Sequence, residues 1–271
     1  MEQTPRPVPP DFEVVVDTPG WRKVRPRIPD TPQRRKLEQQ RSVRELVFGV
    51  QDGILTTLGI ATGVGAAEGK NWLVVLSGLL ALLAGALSMG VGEYLGGKSE
   101  REVVQATIAM EKGEMAADPQ AEFAEQVAYY KLKGFSADES HMIVSRLTQN
   151  PEIYLYEMMR DEFGVDPRVA ENTSLRPAFQ MAASFAIGAF LPLIPYFFNL
   201  GAWRTLSISL VLAVIGLFSI GYYAGTLTNR PNWQKGLEVV VFGMIVFAIS
   251  WAAGYALPQI FGHPGVNLGA G

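Results

Sequence analysis

Residues 72–92 read WLVVLSGLLALLAGALSMGVG and contain no charged side chain. A helix of this length rises about 30 Å, which equals the thickness of the hydrocarbon core of a bilayer. A single stretch of this kind also occurs as a buried helix of a soluble protein. The rest of the chain therefore has to decide between a membrane span and a core helix.

Four further stretches are at least as long and almost as free of charge. They are 46–66, 178–203, 205–228 and 236–258. Only Asp52 in the first of them and Glu238 in the last carry a charge. A soluble chain of 271 residues has no interior large enough for five such helices. We therefore predict an all-α membrane protein with five transmembrane helices, embedded in a lipid bilayer.

The composition excludes several classes of function. The chain has no cysteine, which excludes disulfides, thiolate metal sites and cysteine nucleophiles. Its two histidines, His141 and His263, are too few for a multi-histidine metal centre and disfavour a Ser-His-Asp triad. The net charge of −3 argues against nucleic acid as a partner. The pattern G-x-x-x-x-G-K-[ST] occurs once, at 92–99, but it directly follows an apolar stretch of membrane-spanning length and not a strand, so it does not predict a nucleotide-binding loop. We predict no enzyme, and any transport must be driven by a gradient.

The charge pattern divides the chain into five segments and orients them. They are a disordered Pro/Arg-rich segment at 1–44, helices 1–2 at 45–97, a hydrophilic insert at 98–176, helices 3–5 at 177–258 and a tail at 259–271. Lysine and arginine concentrate before helix 1 and are sparse in the loops on the opposite side, which places the N-terminus and the insert in the cytoplasm. No signal peptide is visible, so we expect the inner (plasma) membrane of a bacterium.

Local signals predict a small helical bundle without strands in the insert. Helix 2 should continue into it as far as about Met115. Asp118-Pro119 and Pro151 are typical helix starts, and Ser136 with Glu139 forms a capping box. Gly134 and Gly164 should close the helices that precede them.

Acidic pairs recur in this insert at helical spacing. Glu111 and Glu114 form one E-x-x-E pair, and Glu122 and Glu125 form another, so each pair lies on one helix face. A third group, Met158, Met159 and Glu162, lies on the last helix. The spacing alone favours solvated helix faces, whereas the stability cost of like charges at this spacing weakly favours a counter-ion. The absence of a Glu-x-x-His motif disfavours a ferritin-type di-iron centre.

Asp52 is the ionisable residue deepest in the predicted membrane region, about 10 Å along helix 1. Burying a carboxylate in hydrocarbon costs about 3 kcal/mol or more, so we predict a functional role. Met89 lies at a similar depth on helix 2, and Glu93 lies one turn from it on the same face. Small residues share these faces, and we expect them to pack against a second copy of the chain. They include Thr56, Gly59 and Gly63 on helix 1 and Gly85, Ser88 and Gly92 on helix 2. Pro192 and Pro195 predict a kink in helix 3.

The stretches Asp52-Gly-Ile-Leu-Thr-Thr-Leu-Gly and Gly85-Ala-Leu-Ser-Met-Gly-Val-Gly-Glu-Tyr94, followed by a Glu-rich insert, resemble the vacuolar iron transporter family. The resemblance extends from about Arg41 to Pro258. It implies five transmembrane helices, a cytoplasmic helical metal-binding domain inserted between helices 2 and 3, and a homodimer with the path between the subunits. It also implies export of Fe²⁺, and often of Mn²⁺, in exchange for protons.

The resemblance assigns roles to individual residues. Asp52 and Met89 correspond to the pore ligands, and we add Glu93 to the path because of its position. The residues that correspond to the cytoplasmic metal ligands are Glu111, Glu114, Glu122, Glu125, Met158, Met159 and Glu162. Ala81 stands where some members carry an acidic residue, so metal affinity or proton coupling in the pore is expected to differ. Two alternatives remain: a membrane-anchored iron-storing or iron-oxidising protein without transport, and a membrane scaffold.

Overall fold

The structure is a computed structural model that describes residues 32–68, 70–171, 174–198, 200–226 and 231–261. The disorder predicted for 1–31 and the tail beyond 261 lie outside these ranges. Residues 32–44, which the predicted N-terminal segment includes, already belong to the first helix. The described residues contain helices and turns and no strand.

Eight α-helices and two 3₁₀ turns follow one another in the part of the chain that the structure describes. The α-helices are α1 Pro32–Glu68, α2 Asn71–Ala117, α3 Pro119–Leu132, α4 Ala137–Leu147, α5 Pro151–Asp161, α6 Arg176–Leu193, α7 Ala202–Gly225 and α8 Asn232–Ile260. The 3₁₀ turns are Pro167–Glu171 and Ile194–Phe197. By contacts, the chain forms two compact units, one built from 30–95 with 174–271 and the other containing 96–173.

The membrane-spanning segments belong to the first unit, except that the second extends past residue 95. Five stretches are long and apolar enough to cross a bilayer, as predicted. They are Glu45–Ala67, Asn71–Ala117, Arg176–Phe197, Ala202–Gly225 and Asn232–Ile260. The third is shorter than the predicted 178–203 because the α-helix gives way to a 3₁₀ turn at Ile194, next to Pro195. Gly201, with φ +83°, forms the turn before α7. The helix α7 begins at Ala202, three residues before the predicted start at 205.

Glycines bring α1 and α6 into backbone contact. A Cβ added at Gly53 would overlap the carbonyl oxygen of Phe185, and a Cβ added at Gly188 would overlap the carbonyl oxygen of Val50. Small residues at helix crossings in membranes allow this close approach, and dispersion contacts along the seam then stabilise the pair. Gly53 immediately follows Asp52, so this seam also fixes the part of α1 that carries the intramembrane carboxylate.

Alanine at Gly188 is expected to lower the free energy of unfolding by about 1–3 kcal/mol, because its methyl group forces α1 and α6 apart. The matched control is Gly113→Ala on α2, where an added Cβ meets no atom within 4 Å. Thermal unfolding in detergent compares the two variants. Equal midpoints would contradict the close packing of α1 on α6.

The glycine face of α1 has a partner within the chain. A Cβ at Gly254 of α8 would overlap the backbone of Gly63, and a Cβ at Gly59 would lie 3.0 Å from the Ser250 hydroxyl oxygen. Ser250 and Gly254 of α8 thus contact this face, while Gly59 and Gly63 stay half-exposed and line a groove beside α8, so their packing against a second copy remains a prediction.

The irregularity that Pro192 and Pro195 predict in the third span is present, because α6 ends at Leu193 and a 3₁₀ turn follows. At this point the Ser209 hydroxyl donates a hydrogen bond to the Pro192 carbonyl oxygen at 2.6 Å.

The second unit is the helical bundle formed by the end of α2 with α3, α4 and α5. The predicted helix starts are confirmed: Asp118 accepts from the backbone at the start of α3, and Ser136 and Glu139 form a reciprocal capping box. Gly134 (φ +98°) and Gly164 (φ +64°) follow α3 and α5, as predicted. The buried core of this unit consists of Val104, Met115, Phe123, Val144, Tyr154, Leu155, Met158 and Met159.

Candidate functional site

The strongest chemical signal in the second unit is the carboxylate of Glu111 on α2. Its side chain is 0% exposed, and within the described residues neither carboxylate oxygen has a hydrogen-bond partner. Burial of an unpaired charge costs several kcal/mol, so a buried carboxylate ordinarily has a cation or several donors beside it. The environment of Glu111 therefore fits a site for a positive ion.

Other glutamates surround Glu111 closely enough to change its titration. Burial, followed by the charges of Glu122, Glu162, Glu114 and Glu125, raises the pKa of Glu111 to about 7. Burial and the charges of Glu125 and Glu114 likewise raise the pKa of Glu122 to about 7. The pKa of Glu162 is raised by burial, then by Glu125 and Glu114. The predicted acidic residues of α2, α3 and α5 thus share one electrostatic environment.

No lysine or arginine forms an ion pair with any of these five glutamates in the described ranges. The same ranges contain no group of three Asp, Glu or His side chains that already converges on one metal position. The acidic side chains are therefore close enough to influence one another. They would have to rotate before three of them could bind one metal ion.

Buried methionines lie in the same unit as these glutamates. Met158 and Met159 of α5 are both buried in the core of the second unit. Met115 is buried in the same core and lies one helical turn after Glu111, so it adds a third thioether that the sequence analysis missed. The i, i+4 spacing from Glu111 is the signal that indicates it. Carboxylates together with thioethers suit Fe²⁺ and similar first-row ions better than Mg²⁺ or Ca²⁺.

Two tyrosines near the acidic residues were also missed. Tyr154 is completely buried, and its phenol pKa is raised by burial and then by the charges of Glu122, Glu111 and Glu125. Tyr129 lies one turn after Glu125, and its phenol pKa is raised by burial and then by the charges of Glu162 and Glu125. Both phenols can donate hydrogen bonds that orient a carboxylate without competing as anions.

The predicted path residues lie in the first unit. Asp52 is half-buried in α1, about two turns inside the span Glu45–Ala67. Met89 and Glu93 are half-buried on α2, one turn apart. Asp52 and Glu93 have neither a hydrogen bond nor an ion pair in the described parts of the chain, so no polar contact joins them. Glu238, by contrast, pairs with Lys235 at 2.9 Å near the start of α8.

Comparison with known proteins adds a family to this description. The sequence model of the VIT family matches residues 43–255. "Vacuolar iron transporter 1" of Arabidopsis thaliana is 32% identical over 221 residues, which are 82% of this chain and 86% of the relative. "Vacuolar iron transporter 1" of Oryza sativa subsp. japonica is 31% identical, covering 80% and 84%. "Protein CCC1" of Saccharomyces cerevisiae is 28% identical, covering 78% and 67%. The chain therefore belongs to the VIT family, whose members are membrane transporters and not enzymes.

Proposed function

We propose that the chain exports Fe²⁺, and also Mn²⁺, from the cytoplasm in exchange for protons. The observation that carries this proposal is the fully buried, unpartnered carboxylate of Glu111, within electrostatic range of four further glutamates. The names of the relatives indicate iron as cargo. The mixed oxygen and sulfur donors of the second unit support the same class of ion.

The distribution of lysine and arginine supports a cytoplasmic position for the N-terminus and for residues 98–176. In this orientation the second unit would collect metal on the side from which the ion is exported. The relatives are named as vacuolar, and for this chain we propose the inner (plasma) membrane of a bacterium. Both locations imply the same direction, out of the cytoplasm.

The second unit acts as a metal-binding domain in this proposal. Its ligands are Glu111, Glu114, Glu122, Glu125, Met158, Met159 and Glu162. Because Glu111 and Glu122 have pKa values of about 7, protons compete with metal at these two positions near neutral pH. Loading is therefore favoured by a neutral or alkaline cytoplasm and weakened by acid.

The transport path uses Asp52, Met89 and Glu93. Asp52 carries a proton when the metal has left and binds the metal when the proton has left, which is the requirement for exchange. A single chain offers few polar groups in its spans, whereas two copies double each of these ligands. We therefore propose a homodimer with the path between its subunits.

The experiment that tests the function is metal uptake into proteoliposomes with an imposed pH gradient, with a pH-sensitive dye recording proton movement. Uptake that depends on the gradient and is accompanied by counterflow of protons supports exchange. The second candidate, a membrane-anchored iron-storing or iron-oxidising protein, has its activity in the acidic cluster that includes Glu111. It predicts stoichiometric metal binding without flux.

The dimer gives a prediction for cross-linking. Ala84, Ser88 and Gly92 form an exposed row of small residues on α2, whereas Thr56 of α1 lines a groove against α8. Cysteine at Ser88 should form a cross-linked dimer in native membranes, and the chain has no native cysteine to interfere. Cysteine at Ile249, which is exposed on α8, is the control and should not cross-link. Full activity of a protein that remains monomeric would contradict the dimer.

A further inference from the structure

A polar cluster with a buried side lies beside the acidic residues of the second unit. The Asp161 carboxylate, at the end of α5, accepts a hydrogen bond from the Gln126 side-chain amide at 2.7 Å. The Lys133 ammonium donates to the same carboxylate oxygen at 2.5 Å. Gln126 is only 1% exposed and the side chain of Asp161 only 10% exposed, so this charge-assisted contact lies mostly out of water.

The contact joins two helices that carry proposed metal ligands. Gln126 lies on α3, one turn after Glu122. Asp161 lies on α5, three residues after Met158 and directly before Glu162. Residues three or four apart share a helix face. Gln126 therefore lies on the same face of α3 as Glu122, and Asp161 lies on the same face of α5 as Met158. The hydrogen bond between them joins the two helices one turn beyond these proposed ligands.

Asp161 differs from the five glutamates of the candidate site because it forms an ion pair with a lysine. Lys133 pairs with it and also lies over the ring of Tyr130, 4.3 Å from the ring centroid. Because its negative charge is matched and its oxygen already accepts two hydrogen bonds, Asp161 is poorly suited to act as a metal ligand. Its contacts instead hold the C-terminal ends of α3 and α5 together.

We propose that Asp161 is a positioning residue that sets the separation between the metal ligands of α3 and those of α5, with Gln126 and Lys133 as its anchors. The proposal rests on the proposed metal binding of the second unit. A metal ion tolerates only small errors in ligand position, and loss of the groups that orient its ligands typically lowers affinity 10- to 100-fold. Asp161 would act in this way on Glu162 and Met158.

The test uses Mn²⁺ as the probe and the full-length protein in detergent. Asp161→Asn keeps the shape and removes the charge, and Lys133→Asp places two carboxylates together. Each is expected to weaken Mn²⁺ binding 10- to 100-fold. Each should also change the zero-field splitting in the electron paramagnetic resonance spectrum of the bound ion. A purely structural role would not alter this signature at saturating Mn²⁺.

A charge exchange provides the rescue. In the double variant Asp161→Lys with Lys133→Asp the ion pair is rebuilt, and the Gln126 amide can turn its oxygen toward the new ammonium. Affinity and spectrum should return to nearly wild-type values. The matched control is Arg160→Gln, which removes an exposed ion pair with Glu157 on the same helix and should change neither.

The outcomes separate the two proposals. Wild-type affinity and spectrum in both single variants would overturn the positioning role and leave metal binding by the unit intact. A double variant that is no better than the single ones would also overturn it. If the wild-type protein binds no Mn²⁺ at all, the proposed function fails, and the positioning role fails with it.

Discussion

Asparagine in place of Asp52 is expected to abolish proton-coupled metal flux and to leave metal binding by the second unit unchanged. Asp52 lies about two turns inside the first span and has no hydrogen bond or ion pair among the described residues. A carboxylate in this position costs about 3 kcal/mol or more, which a scaffold has no reason to retain. Asparagine has nearly the same shape but can neither take up a proton nor attract a cation.

The measurement is uptake of Fe²⁺ or Mn²⁺ into proteoliposomes under an imposed pH gradient. Asp52→Glu should retain at most partial flux, because one extra methylene moves the carboxylate by about 1.5 Å. Glu238→Gln is the control, since that carboxylate already pairs with Lys235, and it should transport normally. Flux at the wild-type level in Asp52→Asn would remove Asp52 from the mechanism and transfer the exchange to Glu93.

Glutamine in place of Glu111 is expected to act in opposite directions on metal binding and on stability. Binding should fall at least tenfold, because the most buried carboxylate of the proposed site is lost. The metal-free second unit should become more stable at pH 8, because glutamine places no charge in that buried position. Replacement of Glu111, Glu114, Glu122 and Glu125 together by alanine should remove most of the remaining binding.

The pH dependence follows from the raised pKa of Glu111. Its ordinary pKa is 4.5, and in the folded unit it is about 7, so the folded state binds more protons than the unfolded state between these values. The contribution of Glu111 to the free energy of unfolding of the metal-free unit is therefore most favourable below pH 4.5. It falls as the pH rises to 7, by on the order of 2 kcal/mol. In Glu111→Gln this part of the fall should disappear.

Hydrogen exchange of residues 96–171 in the full-length protein reports this local stability, and calorimetric titration reports the binding. Lys112→Gln, one residue along α2 from Glu111 and half-buried, is a control that keeps the carboxylate. A metal-free Glu111→Gln unit that is less stable than wild type at pH 8 would show that the carboxylate has a favourable partner. Unchanged binding in the fourfold alanine variant would contradict the ligand assignment.

The five spans and the helix boundaries of the second unit could be predicted because their signals are local. The absence of charge over about 20 residues is visible in the sequence alone. The capping box of Ser136 and Glu139 and the cap at Asp118 involve residues only two or three positions apart. The contact of α8 with Gly59 and Gly63 could not be predicted, because a glycine face fits any partner helix.

The candidate site was predictable in composition but not in arrangement. An E-x-x-E pattern does not distinguish its two members, yet Glu111 is fully buried and Glu114 is exposed. The difference comes from packing between helices that are distant in sequence. The role of Asp161 was invisible for the same reason, since its partners Gln126 and Lys133 lie 35 and 28 residues away.

The glycine seam between α1 and α6 restricts how the protein can alternate between open states. Where backbone meets backbone, at Gly53 with Phe185 and at Gly188 with Val50, no layer of side chains can adjust its rotamers to let the helices slide. These two helices must travel as one rigid body, and Asp52 travels with them. In the proposed exchange, exposure of Asp52 to one side of the membrane and then to the other would therefore come from displacement of this pair against its neighbours, or from movement of the neighbours around it.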